Sequence, residues 1–279
     1  MASMWRFPRK MGFIPPSVTS PDGRYGARAA SVVAAASVVG ITALAWGYLA
    51  YQSWAMSHMD VVDMAMPGAR EWGVLDLVLV FTMWVVMMIG MMAPSASPVL
   101  LLFTRIQHER HSRGSTGVAS GLFLLGYLLA WTGFSVAATL IQWGLHSAML
   151  ISPAMIGTSP LLGGVVLIAA GIYQWTPAKH ACLNHCRSPL GYLLNEWRDG
   201  AGGALVMGWR HGLYCTGCCG LLMLVLFVVG VMNLLWIALL AAFVLLEKNL
   251  PRGRWVSHAT GLALIAWGSW MALGVRADI

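Results

Sequence analysis

Apolar runs of about twenty residues recur along this chain, parted by short polar stretches. Wound as a helix, a run of that length matches the hydrocarbon thickness of a bilayer, and the two-residue alternation of half-buried strands is missing. The pattern predicts an all-α, polytopic transmembrane helical bundle of about seven spans. The spans are expected at about 29–51, 72–92, 118–143 and 161–175, then two within 204–247, then about 255–275. The stretch 204–247 is too long for one crossing and divides near Gly230-Val231-Met232-Asn233, a re-entrant pair being the alternative. Thr176-Pro177 reads as an N-cap followed by proline in the first turn. It starts a short amphipathic helix over 177–187 that stops before Pro189, after which residues to 203 read as a polar, Gly-rich loop. Pro94 and Pro98 are expected to end the second helix, with a polar loop at 104–117. Glu247 and Lys248 are expected to pair at the membrane interface.

Composition sharpens this. The chain is 58 % hydrophobic and 10 % charged, where a soluble domain carries about 25 % charged residues. The formal charge of +7 is spread over loops and never interleaved with aromatics, which sets nucleic acid aside as a partner and leaves the lipid bilayer. Residues 1–28 are polar, basic and proline-bearing and read as a cytoplasmic tail, leaving 29–279 as a single transmembrane domain. With the N-terminus cytoplasmic, the inner loops hold Arg105, Arg110, Arg113, Lys179, Arg187, Arg198, Arg210, Lys248, Arg252 and Arg254, and the outer loops hold Arg70.

The candidate chemistry lies in two short segments. In Met207–Met223, positions four apart place Met207, His211, Cys215, Cys219 and Met223 on one helical stripe, with Cys218 beside it. Cys182 and Cys186 lie one turn apart on the short helix, with His180 and His185 close by. A single cysteine reads as a small buried apolar group. Five in two tight clusters read as ligands or redox thiols, and their cytoplasmic placement disfavours structural disulfides. Cys182, Cys186, Cys215, Cys218, Cys219 and His211 are therefore the candidate metal residues. The donor set is soft, so copper is favoured over zinc.

A second feature is rich in methionine. A loop expected outside contains Met56, His58, Met59, Asp60, Asp63, Met64 and Met66, and the second span carries Asp76, Met83, Met87 and Met91 on one stripe. Thioethers select Cu(I), so Met56, His58, Met59, Met64, Met66, Asp76, Met83, Met87 and Met91 form a candidate metal path toward the cysteines. Against this, methionine also fills gaps between helices, and Asp76 near a span end suits a cap.

The segments MWVVMMIGMMAPSASP, YQWTPAKHACLNHCRSPL, HGLYCTGCCGLLM, GVMNLLW and EKNLPRG together resemble the bacterial predicted metal-binding integral membrane proteins, domain of unknown function 2182. The resemblance implies a multi-pass protein of the bacterial inner membrane with a metal site on the five cysteines. Three functions follow as expectations. The first is copper handling, by transport or by delivery to another membrane protein or metal chaperone. The second is a membrane thiol-disulfide oxidoreductase using Cys215 and Cys218. The third is a structural or assembly subunit of a larger membrane complex. No catalytic residues are assigned, and no phosphate-binding loop of the G-x4-G-K-[ST] type occurs.

Overall fold

A computed structural model describes residues 21–57, 72–110, 116–150, 159–250 and 253–274. Every regular element among them is an α-helix. In chain order these are α1 (Pro21–Ser57), α2 (Val74–Arg110), α3 (Thr116–Ser147), α4 (Pro160–Tyr173), α5 (Pro177–Arg187), α6 (Pro189–Glu196), α7 (Gly200–Met223), α8 (Leu226–Val229), α9 (Leu234–Asn249) and α10 (Gly253–Gly274). Among the described residues, four stretches are long and apolar enough to cross a membrane: Tyr25–Ala55, Val74–Arg110, Thr116–Ser147 and Gly200–Val229. The pair α4 and α5, bent by 63°, makes a fifth if read as one broken span. Among the described residues, four or five helices thus have the length and composition of a crossing, where the hydrophobic pattern suggested about seven spans.

The second span corrects an expectation. Pro94 and Pro98 lie inside α2 and do not end it. Each proline leaves the carbonyl four residues earlier without its amide partner. Both orphans find donors. The indole of Trp46, on α1, donates to the Gly90 carbonyl at 3.2 Å, and the Ser97 hydroxyl donates to the Pro94 carbonyl at 2.7 Å. Re-satisfied carbonyls are what let a proline persist inside a membrane helix. The helix also runs on to Arg110, through half of the stretch expected as loop. A further correction concerns 188–203. Two prolines at N1 positions, Pro177 and Pro189, begin successive short helices, and α7 is already under way at Gly200.

Other punctuation falls where expected. Thr176 caps α5 by accepting the Lys179 amide, with Pro177 in the first turn. The chain breaks between α8 and α9 at Gly230, whose φ of +99° is a backbone state that glycine adopts freely. Asn233 then caps α9 by accepting the Trp236 amide.

α3 and α7 form the closest helix pair. A Cβ at Gly208 would stand 1.9 Å from the Phe123 carbonyl oxygen, so only glycine admits this approach. Small residues at such a crossing replace the hydrophobic drive that lipid cannot supply. The crossing fixes the rotation of α7 and turns Met207, His211, Cys215, Cys218, Cys219 and Met223 inward. Cys215, Cys218, Cys219 and Met223 join one core with the α2 methionines and with α4, α5 and α9, while Met207 packs in a second with Phe103, Phe123 and Tyr192.

Candidate metal centre

The thiols of α7 meet those of α5 in that core. Cys215, Cys218 and Cys219 are at most 1 % exposed, Cys186 is 8 % exposed, and Cys182 is half-buried. Cys218 Sγ lies 3.2 Å from Cys219 Sγ and 3.9 Å from Cys186 Sγ. The Cys215 thiol touches Cys186, Cys218 and Cys219 in turn. Cys218 also donates to the Cys215 carbonyl at 3.2 Å, the local bond open to a thiol one turn along a helix. Cys182 lies on the outer side of this group. Its sulfur sits over Gly217, where a Cβ would come within 2.8 Å of it.

Polar partners hold the cluster from the other sides. Lys248, near the end of α9, donates to Cys215 Sγ and to Ser95 Oγ, both at 2.9 Å. The Tyr127 hydroxyl of α3 is 3.0 Å from Cys215 Sγ and donates to the Met92 carbonyl at 3.0 Å. Two helices besides α5 and α7, α9 and α3, thus reach one sulfur, and Ser95 of α2 holds the Lys248 ammonium beside it. Lys248, Tyr127 and Ser95 are the residues that sequence reasoning missed. The available signals were a lysine closing an apolar helix and a tyrosine in mid-span.

Lys248 does not pair with Glu247, which corrects the expected interfacial ion pair. Consecutive residues on a helix point about 100° apart and cannot face each other. Glu247 instead accepts Lys179 Nζ at 2.6 Å, with both side chains fully buried. Gln174 accepts from the same ammonium, and Ser257 of α10 donates to the same carboxylate oxygen. This network ties the α4–α5 bend to α9 and α10, next to the thiols.

His211 is buried one turn before Cys215 on α7. Its imidazole stands among Tyr192, Tyr127 and Phe123, with ring centroids 5.1, 5.7 and 6.2 Å away, and Nδ1 has no hydrogen-bond partner among the described residues. Tyr192, on α6, donates to the Met207 carbonyl at 2.5 Å. Burial, and then the nearby Glu196 carboxylate, push its phenol above the usual tyrosine range, so it stays a donor.

On the second span, Met83, Met87, Met88, Met91 and Met92 are all buried in the core that holds the thiols. Asp76 accepts the Gly73 amide at 2.9 Å from the third position of α2, a cap at the positive end of the helix dipole. Met56 falls in the last turn of α1, while His58, Met59, Asp60, Asp63, Met64 and Met66 lie outside the described residues.

Chemically, thiols beside a phenol and an amine suit a soft ion. At metal–sulfur bonds of about 2.3 Å, two sulfurs on one tetrahedral ion stand about 3.8 Å apart. The 3.9 Å between Cys218 and Cys186 meets that spacing. Among the described residues, no three His, Cys, Asp or Glu side chains already form a finished ion-binding group. The thiols are collected instead by hydrogen bonds to Lys248, Tyr127 and one another.

No curated protein and no solved structure matches the chain. A family model does: that of PpoB2, described as a copper chaperone, over residues 81–271. The match takes in the methionine stripe, all five cysteines, His211 and Lys248, and it bears out the expectation of a copper-related family. With about two thirds of its length so matched, the chain belongs to the PpoB2 copper chaperone family.

Proposed function

We propose that this protein is a membrane copper chaperone that takes Cu(I) as its cargo at the buried thiol cluster and delivers it to another protein at the membrane. The observation that carries this is the junction of α5 and α7, where Cys186, Cys215, Cys218 and Cys219 form one contiguous sulfur surface. Such a surface selects Cu(I) by softness. Three or four thiolates around one monovalent ion carry net negative charge, and the Lys248 ammonium, already at Cys215, offsets part of it. His211 backs the cluster from the aromatic side. The distribution of Arg and Lys supports a multi-pass arrangement in a bacterial inner membrane, with the N-terminus and the thiols near the cytoplasmic face. A reducing compartment keeps such thiols free to bind and release the ion.

Protein purified in reducing buffer and offered Cu(I) is expected to hold about one ion per chain, as a soft thiolate site of this size does. Cys215→Ser/Cys218→Ser removes two neighbouring sulfurs with little change of volume, and its copper content should fall close to zero by elemental analysis. An unchanged content in that double variant overturns the reading.

A further inference from the structure

We propose that Cys182 is the exchange thiol of this centre, the ligand through which Cu(I) passes between the buried cluster and an incoming thiolate acceptor. The inference rests on the copper reading above and adds a division of labour. Cys186, Cys215, Cys218 and Cys219 store the ion, and Cys182 moves it.

The five sulfurs differ in access. Four belong to residues no more than 8 % exposed, and Cys182 alone is half-buried. Cu(I) moves between thiolates by association: the incoming sulfur bonds before the outgoing one leaves, so at least one ligand must be reachable from outside. A cluster sealed on every side would hold its cargo indefinitely. Cys182 lies one helical turn from Cys186, a separation of about 5–6 Å between Cβ atoms. Cys186 in turn lies 3.9 Å from Cys218.

Gly217 completes the path. It immediately precedes Cys218, and its missing side chain leaves the space in which the Cys182 sulfur rests on α7. Its carbonyl is held by the Tyr173 hydroxyl at 2.5 Å, so this patch of α7 is fixed from α4. Tyr214, on the same face of α7, is covered by His185 in parallel stacking at 4.2 Å and 7°. The half-buried sulfur therefore sits where α5 crosses α7, beside the store. Apart from the buried, paired Lys179, the helix that carries it contains His180, His185 and Arg187 and no acidic residue, a surface that favours the approach of an anionic thiolate.

The exchange is redox-neutral and balanced. A Cu–S bond to Cys182 forms as one to Cys186 or Cys218 breaks, and the proton leaving the Cys182 thiol goes to the released thiolate. In the second step the acceptor thiol bonds copper as the Cu–S bonds to the remaining store thiolates and lastly to Cys182 break, the acceptor's proton passes to Cys182, and the ion departs as Cu(I). The acceptor's sulfur can come from a small thiol or from cysteines of a protein.

The test uses the full chain in detergent, loaded with Cu(I). Transfer is followed to glutathione in one arm and to a peptide carrying a Cys-x2-Cys pair in the other; the faster arm identifies the source of the acceptor thiol. Cys182→Ser is expected to keep the wild-type copper content and to slow transfer in that faster arm by about tenfold or more, as loss of the accessible sulfur should. Gly217→Ala keeps all five thiols but displaces the Cys182 sulfur, and should slow the same arm. A readout without metal is maleimide labelling of the apoprotein: one fast-reacting thiol per chain, absent in Cys182→Ser. Transfer at the wild-type rate in both variants, or persistence of the fast thiol in Cys182→Ser, overturns the proposal. A wild-type protein that holds no copper defeats the parent reading instead, and the two failures are thereby distinct.

Discussion

Lys248 occupies the place where an ion-binding cluster of thiols most needs a positive charge, and it reaches that place from α9, the helix that also holds α5 through the Glu247–Lys179 pair. Its replacement by methionine keeps an unbranched apolar stem of similar length and removes the ammonium. A hydrogen bond to a charged partner contributes about 1.5–3 kcal/mol. Lys248→Met should therefore weaken Cu(I) affinity by about ten- to a hundredfold, since about 1.4 kcal/mol is a factor of ten. Competition with a chromophoric Cu(I) chelator reads this directly, and equal affinity in the variant would reduce Lys248 to a structural role. At this scale the cysteines were legible and their setting was not. Spacing along one helix reveals which sulfurs share a face, because the helical period is fixed. It cannot reveal a partner on another helix. Lys248 lies 33 residues from Cys215 and 153 from Ser95, and Glu247 lies 68 from Lys179. The adjacency of Glu247 and Lys248 in sequence pointed to the wrong pair for the same reason.

Among the elements, the broken ones position the site. Helix starts were readable where a cap and a proline coincide, as at Thr176-Pro177, and the break at Gly230 followed from an apolar stretch too long for one span. The continuation of α2 through Pro94 and Pro98 was not readable, because the Trp46 indole that satisfies the Gly90 carbonyl comes from another helix. The bend between α4 and α5 lets α5 lay Cys186 against α7, and the buried Lys179–Glu247 pair anchors that bend. Both partners are 0 % exposed, so removing one leaves a buried charge without its counter-charge. Lys179→Met or Glu247→Leu alone should each cost about 3–5 kcal/mol. The double variant should be closer to wild type than either single one, because no lone charge remains. Unfolding of detergent-solubilised protein, monitored thermally or by denaturant, measures both quantities. Single variants as stable as wild type would remove the pair from its anchoring role, and the copper content of each would show how far the α5 thiol depends on it.

For the molecule as a whole, the question is whether the methionines of α2 guide the ion or fill the space between helices. Met87, Met88, Met91 and Met92 are each 0 % exposed and cover two adjacent faces of α2, with Trp84 a turn away donating to Gln142 at 2.6 Å. A conduit needs sulfurs along one line with room for an ion to move beside them. Side chains sealed on both faces of a helix, in one core with aromatic rings from α3 and α8, answer instead to the packing demand of a crowded bundle. Methionine is suited to it, being unbranched and adaptable. Met87→Leu/Met91→Leu preserves apolarity and nearly preserves volume, a change that usually costs less than about 1.5 kcal/mol per site. This variant should fold, keep the wild-type copper content and load at the wild-type rate. Met87→Ala/Met91→Ala should instead lose stability, at about 2–5 kcal/mol for each cavity. Loading rates in proteoliposomes with Cu(I) supplied from one face, set beside melting temperatures, separate the two roles. A slower rate in the Leu variant at unchanged melting temperature would make the thioethers a path, because only the sulfur atoms differ. A rate that falls only in the Ala variant, together with stability, leaves them as the packing that holds α2 and its Ser95 hydroxyl against Lys248 and the thiols.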